Sequence, residues 1–161
     1  NTGQLEQFGL ENPERVAIRR GGDATYHGPG QLVGYPILPL AELPSGKDLH
    51  QYLRDLEEVL IQTLATYDVP AGRREGLTGV WVGDELQRKI ASIGIAVKKW
   101  VSYHGFAINV NTDLRYFHWI QPCGLQATIM TSLEKELGHS VEMSEFENRV
   151  TSQLRTQFQT V

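Results

Sequence analysis

The spacing of apolar side chains changes period several times along this chain, and each change marks an element. Leu49, Tyr52, Leu53, Leu56, Leu60, Leu64 and Tyr67 recur every three or four positions. That predicts an amphipathic helix, with Ser45 and Asp48 offering a capping box near its start and Pro70 and Gly72 ending it. Phe146, Val150, Leu154 and Phe158 also share one helical face, behind a Ser144-x-x-Glu147 capping box, so residues 144–158 read as a helix. Residues 128–137 read as another, and residues 113–119 as a short helical turn stopped by Pro122.

Elsewhere the pattern is that of strands. Residues 14–19 alternate, with Val16 and Ile18 pointing one way and Arg15, Ala17 and Arg19 the other, while residues 32–38 look like a buried strand. Residues 78–82, 90–98 and 104–109 are rich in β-branched and aromatic side chains and are separated by turn-forming or polar residues. Strands joined by short turns rather than by helices predict an α+β fold, a mixed and largely antiparallel sheet flanked by helices, instead of a doubly wound parallel sheet. No internal repeat or low-complexity tract interrupts it.

Composition narrows what such a domain does. With 161 residues, 40% of them apolar and 21% charged, the chain suits a single globular domain. Fifteen basic against nineteen acidic residues, a formal charge of −4, lack the cationic excess that gripping nucleic acid demands. No apolar run reaches the roughly 20 residues that span a bilayer, and no signal-peptide pattern is present, so a membrane is not expected and the cytoplasm is the default location. The chain opens on Asn1 and a polar, aperiodic dozen residues, from which we expect part of the natural N-terminus to be missing.

Candidate chemistry gathers at three places. Arg20, Gly21, Gly22, Asp23, Ala24, Thr25, Tyr26 and His27 lead into Gly28-Pro29-Gly30-Gln31, a loop whose glycines let backbone N–H groups approach a ligand closely. It matches neither nucleotide-binding fingerprint. Cys123, the single cysteine, rules out an internal disulfide and a multi-cysteine zinc site. Its setting in Pro122-Cys123-Gly124, between a helix stop and a flexible residue, suits an exposed nucleophile with backbone amides near an oxyanion. A free thiol is mostly protonated at neutral pH, so it needs a base or a cation beside it. Lys89, His27 and His104 compete for that role, and spacing alone does not rank them; the bland reading of Lys89 is a solvated lysine at a strand end. Five histidines without a compact ligand spacing give no metal site.

Four ordered motifs resemble one family. The run from Arg20 to Gln31 is similar to the signature of the lipoyl(octanoyl) transferases, and Lys89-Ile-Ala-Ser-Ile-Gly94, Tyr103-His-Gly-Phe-Ala-Ile-Asn109 and Pro122-Cys123-Gly124 recur there in the same order. The resemblance runs from about Arg19 to the C-terminal helix. It implies a single catalytic acyltransferase domain over residues 1–161, with the architecture of biotin and lipoate protein ligases. It further implies transfer of octanoate from octanoyl-acyl carrier protein to the lipoyl domains of 2-oxoacid dehydrogenase E2 subunits and to glycine cleavage H protein. No cofactor is implied beyond the phosphopantetheine of the carrier. Carried over residue by residue, Cys123 looks like the thioester-forming nucleophile and Lys89 like the group that lowers its pKa and moves protons. Arg20 to His27, Ser92, Ile93 and Gly94, and His104, Gly105 and Phe106 match segments that line the acyl pocket. Family members carry a strand and a helix ahead of the glycine loop where this chain has little. Three other classes remain open at this point: an ATP-dependent ligase of similar architecture, a non-catalytic carrier-binding module, and a Cys-His hydrolase.

Overall fold

The computed structural model describes Glu14, Val16, Ala17 and residues 25–119 and 129–158. The strand expected over residues 14–19 falls largely outside these, and the three described residues there belong to no strand. Five strands form one sheet: β1 (Gln31–Gly34), β2 (Ala71–Arg74), β3 (Leu77–Val82), β4 (Arg88–Lys98) and β5 (Val101–Asn109), in the order β1-β5-β4-β3-β2. Every neighbouring pair in it is antiparallel. Among the described residues three α-helices accompany the sheet: α1 (Leu49–Ala65), α2 (Leu133–Leu137) and α3 (Met143–Phe158).

Helices α1 and α3 cover one face of the sheet. Tyr52 meets Phe158 and Tyr67 meets Phe146 with ring centres 5.7 Å apart in each pair. Beneath them Leu56, Leu60, Val150, Val80, Val82, Ile90, Ala91, Phe106 and Ile108 join in one buried core, the arrangement expected when an apolar helix stripe meets an apolar sheet face.

The departures from the sequence pattern have local causes. Asp48 caps α1, accepting from the Gln51 amide at 2.9 Å, but the Gln51 side chain goes on to Asp55 and Ser45 lies in the preceding turn, so the expected box has one arm. Helix α3 starts at Met143, which puts Ser144 inside it, donating to Glu142 rather than capping. The helix expected over residues 128–137 is reduced to α2, because Met130 pairs with Lys89 as a short parallel bridge and Ser132 is the N-cap.

Strand β2 was hidden by Pro70 and Gly72, which read as terminators; its pairing to β3 comes from tertiary context. The expected strand over residues 32–38 breaks after Gly34, where Pro36 has no N–H to give, and its pairing resumes where Ser102 N–H donates to the Leu38 carbonyl at 3.0 Å. Strand β5 begins three residues earlier than expected. Lys99 and Trp100, with φ of 51° and 63°, make a two-residue turn between Lys98 and Val101 without the usual Asn-Gly signature.

Candidate active site

A one-residue irregularity decides where Lys89 points. Val80 faces Ala91 while Trp81 faces Lys89, so β4 carries one extra residue, Ile90, against β3. Such a bulge reverses the alternation of side chains. Ile90 and Ala91 are both buried in the helical core, and Lys89 is therefore thrown to the opposite face, the one that Ser92 and Gly94 share. It is no solvated strand end: only 5% of its surface is exposed. Its Nζ donates to the Thr78 carbonyl at 3.1 Å and lies 5.3 Å from the centre of the Trp81 ring, a distance at which a cation is attracted by the indole face. Arg74 lies over the same ring at 4.7 Å. Gly79, with φ of 126°, makes room for the lysine stem, since a Cβ there would stand 2.9 Å from Lys89 Cε and 2.5 Å from the Ala91 carbonyl oxygen.

The backbone of Lys89 holds the segment downstream of the cysteine. Thr131 N–H donates to the Lys89 carbonyl at 3.0 Å, next to the Met130 bridge. Met130 follows Cys123 by seven positions in the sequence. Cys123 itself lies outside the described residues, as do Arg20, Gly21, Gly22, Asp23 and Ala24. Met130 packs with Tyr26 and Phe117 in a small second cluster, where the Tyr26 ring stacks on Tyr116 at 4.6 Å and meets Phe117 edge-on at 5.6 Å. Burial, and then Tyr116 and Asp113, push the Tyr26 phenol above its ordinary range, so it is a neutral group at physiological pH. Tyr26 is thus brought to the Lys89 end of the sheet; Thr25 beside it is half-buried and His27 exposed.

A chain of hydrogen bonds ties this loop to β5. Asn109 Nδ2 donates to the Thr131 carbonyl at 2.9 Å, which leaves Asn109 Oδ1 to accept from Gln31 Nε2 at 2.8 Å. Gln31 Nε2 also donates to the Tyr26 carbonyl at 3.2 Å. Gln31 Oε1 is then the acceptor that faces His27 Nδ1 at 2.7 Å, so Nδ1 carries a proton and donates it into this bond. Thr131 Oγ1 donates to Glu136 at 2.6 Å, and Glu136 receives both arms of Arg88 at 2.9 and 2.7 Å. The fork holds the Glu136 carboxyl below its ordinary range.

The remaining expected pocket residues meet across β4 and β5: Ile93 faces Phe106, Gly94 faces Gly105, and Ile95 faces His104. Phe106 belongs to the helical core and Ile93 packs against it, so on the face opposite the helices this part of the sheet presents Ser92, Gly94, Gly105 and Ala107, all small. Gly105 admits a close backbone, because a Cβ there would stand 2.2 Å from the Gly34 carbonyl oxygen. His104, with φ of 60°, has Tyr35 at 5.6 Å and Tyr103 at 5.0 Å between ring centres. Its partner Ile95 lies six positions along β4 from Lys89, about 20 Å at the rise of a strand. The structure therefore joins Lys89 with Tyr26 and its loop, and sets His104 apart from both.

Trp81, Gly79, Thr131, Gln31 and Asn109 complete the site without having been singled out. Gln31 and Asn109 close two of the motifs and could have been suspected from them; an indole in an apolar strand gives no such signal. Among the described residues no group of three His, Cys, Asp or Glu could hold a metal, and no helix is long and apolar enough to cross a membrane.

The family of lipoyl protein ligase A/B catalytic domains matches residues 4–155. A protein of Geotalea uraniireducens named octanoyltransferase is 54% identical over 83% of this chain and 60% of its own length. Another of that name, from Flavobacterium johnsoniae, is 50% identical over 98% of this chain and 72% of its own. A third, from Caldicellulosiruptor saccharolyticus, is 55% identical over 88% and 58%. The chain spans 58% to 72% of the length of these curated relatives. The structure of lipoate-protein ligase A bound with ATP superposes with a TM-score of 0.71 at 17% identity, over 99% of this chain and 63% of that one. Biotin protein ligase from Aquifex aeolicus gives 0.63 at 18%, over 81% and 53%. At such identities the likeness speaks for the fold, which is the antiparallel sheet with flanking helices described above.

Proposed function

This chain belongs to the family of lipoyl protein ligase A/B catalytic domains, and on that premise we propose that it carries out octanoyl transfer, from octanoyl-acyl carrier protein through a thioester on Cys123 to a lysine of a lipoyl domain. Relatives named octanoyltransferase at about half identity support the reaction. The observation that carries the site assignment is the buried ammonium of Lys89, bonded to a carbonyl and paired with Met130, seven positions after Cys123.

The chemistry closes as a cycle. With Cys123 as thiolate and Lys89 as ammonium, the sulfur attacks the carbonyl of the carrier thioester, and the departing carrier thiolate takes a proton from Lys89. Neutral Lys89 then accepts the proton that the incoming lysine amine loses as it forms the amide, and the Cys123 thiolate departs to restore the starting pair. Two thioesters are nearly isoenergetic, so acyl exchange needs no ATP and no cofactor beyond the carrier's phosphopantetheine. We place the acyl chain over the small side chains of Ser92, Gly94 and Ala107, where its burial at about 0.8 kcal/mol per methylene contributes about 5 kcal/mol. The acceptors in this reading are the lipoyl domains of 2-oxoacid dehydrogenase E2 subunits and glycine cleavage H protein.

Incubation with octanoyl-acyl carrier protein in the absence of ATP should raise the intact mass by one octanoyl group, and Cys123→Ala should abolish the gain. An adduct that persists in Cys123→Ala refutes the nucleophile, and a strict need for ATP refutes the reaction.

A further inference from the structure

Glu57, on α1, has no exposed surface, and its two oxygens do different things. Oε2 accepts from Arg54 Nη1 at 2.7 Å and from Arg73 Nε at 3.1 Å. Oε1 accepts from the backbone N–H of Gly79 at 3.0 Å. That N–H and the carbonyl of Thr78 belong to one planar peptide group, and the carbonyl is the acceptor for Lys89 Nζ at 3.1 Å. A single peptide is thus held between a buried carboxylate on the helical side of the sheet and a buried ammonium on the opposite side.

Hydrogen bonds in series polarise one another in a low-dielectric interior. A carboxylate accepting the N–H shifts electron density onto the carbonyl oxygen, which becomes a better acceptor for the ammonium. We propose that Glu57 is a positioning residue for Lys89: through the 78–79 peptide it holds the ammonium in place and favours its charged form, without touching substrate. The inference rests on Lys89 being the partner of the Cys123 thiol, as read above. Among the described residues, other charged groups stand near this relay without forming part of it. Arg54 and Arg73 meet the other oxygen of Glu57, and Glu58 takes Arg73 at 2.6 Å. On the side opposite the helices Arg74 shares the Trp81 ring with Lys89, and Arg88 is bound to Glu136. An ion pair with two arginines does not require the second oxygen to meet Gly79, and the Gly79 backbone, at φ of 126°, aims its N–H there.

The pH profile of Cys123 alkylation by iodoacetamide tests this in the full chain, in Glu57→Gln, Lys89→Met and the double variant. Glu57→Gln keeps the shape and one acceptor oxygen while removing the charge. Its half-maximal alkylation should move to higher pH, Lys89→Met should move it further, and adding Glu57→Gln to Lys89→Met should change nothing more. An unmoved profile in Glu57→Gln, or the same displacement with and without Lys89, overturns the inference and leaves the role of Lys89 standing. A Lys89→Met profile identical to that of the parent protein overturns the underlying reading instead. Should Glu57→Gln fail to fold, the Gly79 amide proton decides by NMR: it should move upfield in Lys89→Met, and an unmoved resonance sinks the relay.

Discussion

Trp81 and Lys89 face each other across β3 and β4, and the lysine ammonium stands 5.3 Å from the centre of the indole ring. The ring is fully buried and its Nε1–H has no hydrogen-bond partner among the described residues. What it contributes is therefore an aromatic face for two cations, Lys89 and Arg74, and not a hydrogen bond. Trp81→Phe retains a face and relieves an unmet donor whose burial costs about 1–3 kcal/mol, which offsets the volume it loses. Its stability should stay within about 1 kcal/mol of the parent, whereas Trp81→Ala should lose about 3–5 kcal/mol. Urea unfolding of the two variants checks both figures.

Gly79 and Gly76 separate backbone strain from displacement of the lysine. Both have positive φ, 126° and 73°, so alanine at either position is strained by roughly 1–3 kcal/mol. A Cβ at Gly76 has nothing within 4 Å, while one at Gly79 meets the Lys89 stem and the Ala91 carbonyl. Gly79→Ala should slow octanoyl-adduct formation by about tenfold or more, as misplacing a proton-transfer group does. Gly76→Ala should acylate at the parent rate. Equal losses in both variants would show that the packing around Lys89 is immaterial to acylation.

The long helices and the strands at the centre of the sheet were legible because their patterns are long and agree with local propensity: the Leu49 to Tyr67 stripe and the run from Ile90 to Val97 admit few alternatives. Strand β2 was not legible, since Ala-Gly-Arg-Arg is extended only by its pairing with β3. Nor was the turn at Lys99 and Trp100, which takes a conformation that neither residue favours. At the site, motifs exposed the residues of the glycine loop and Lys89 as candidates. The burial of Lys89 was hidden, because it depends on one extra residue in β4, and no pattern within β4 announces a bulge that exists only relative to β3.

Stability should fall on acidification, in part through Glu136. Its hydrogen-bonded pairing with Arg88 lowers the folded carboxyl below its ordinary value of 4.5, outweighing the opposing effect of burial, with Thr131 adding to the lowering. A carboxylate whose folded pKa is depressed contributes stability that is complete above the unfolded value and is lost as the pH falls through the folded one. Glu58 and Asp113, also lowered by arginine and glutamine partners, act in the same direction. The urea midpoint should therefore drop between about pH 5 and pH 3, and Glu136→Gln should flatten part of that drop while lowering stability at neutral pH. Because Glu136 also holds Thr131, and Thr131 holds the Lys89 carbonyl, the protection of the Thr131 amide relative to a free peptide amide should fall over the same pH range. A Glu136→Gln curve parallel to the parent's would show that this pair carries none of the acid sensitivity.

The three groups that could activate a thiol are now distinguishable by position. His104 pairs with Ile95, about 20 Å along β4 from Lys89, and no side chain bridges that distance to serve the same sulfur. His27 is exposed and donates from Nδ1 to Gln31, which links it to the Lys89 end of the sheet indirectly, through Asn109 and Thr131 and through Tyr26. Lys89 is the buried cation among them. If it sustains the thiolate, Lys89→Met should lower the alkylation rate of Cys123 at neutral pH by more than about tenfold, the loss expected when a thiol returns from an activated to a free state. His104→Ala should leave that rate unchanged, because its ring lies beside Tyr35 and Tyr103, remote from Lys89. His27→Ala should spare alkylation as well. A loss of alkylation in His27→Ala with none in Lys89→Met would transfer the thiol partnership to the imidazole.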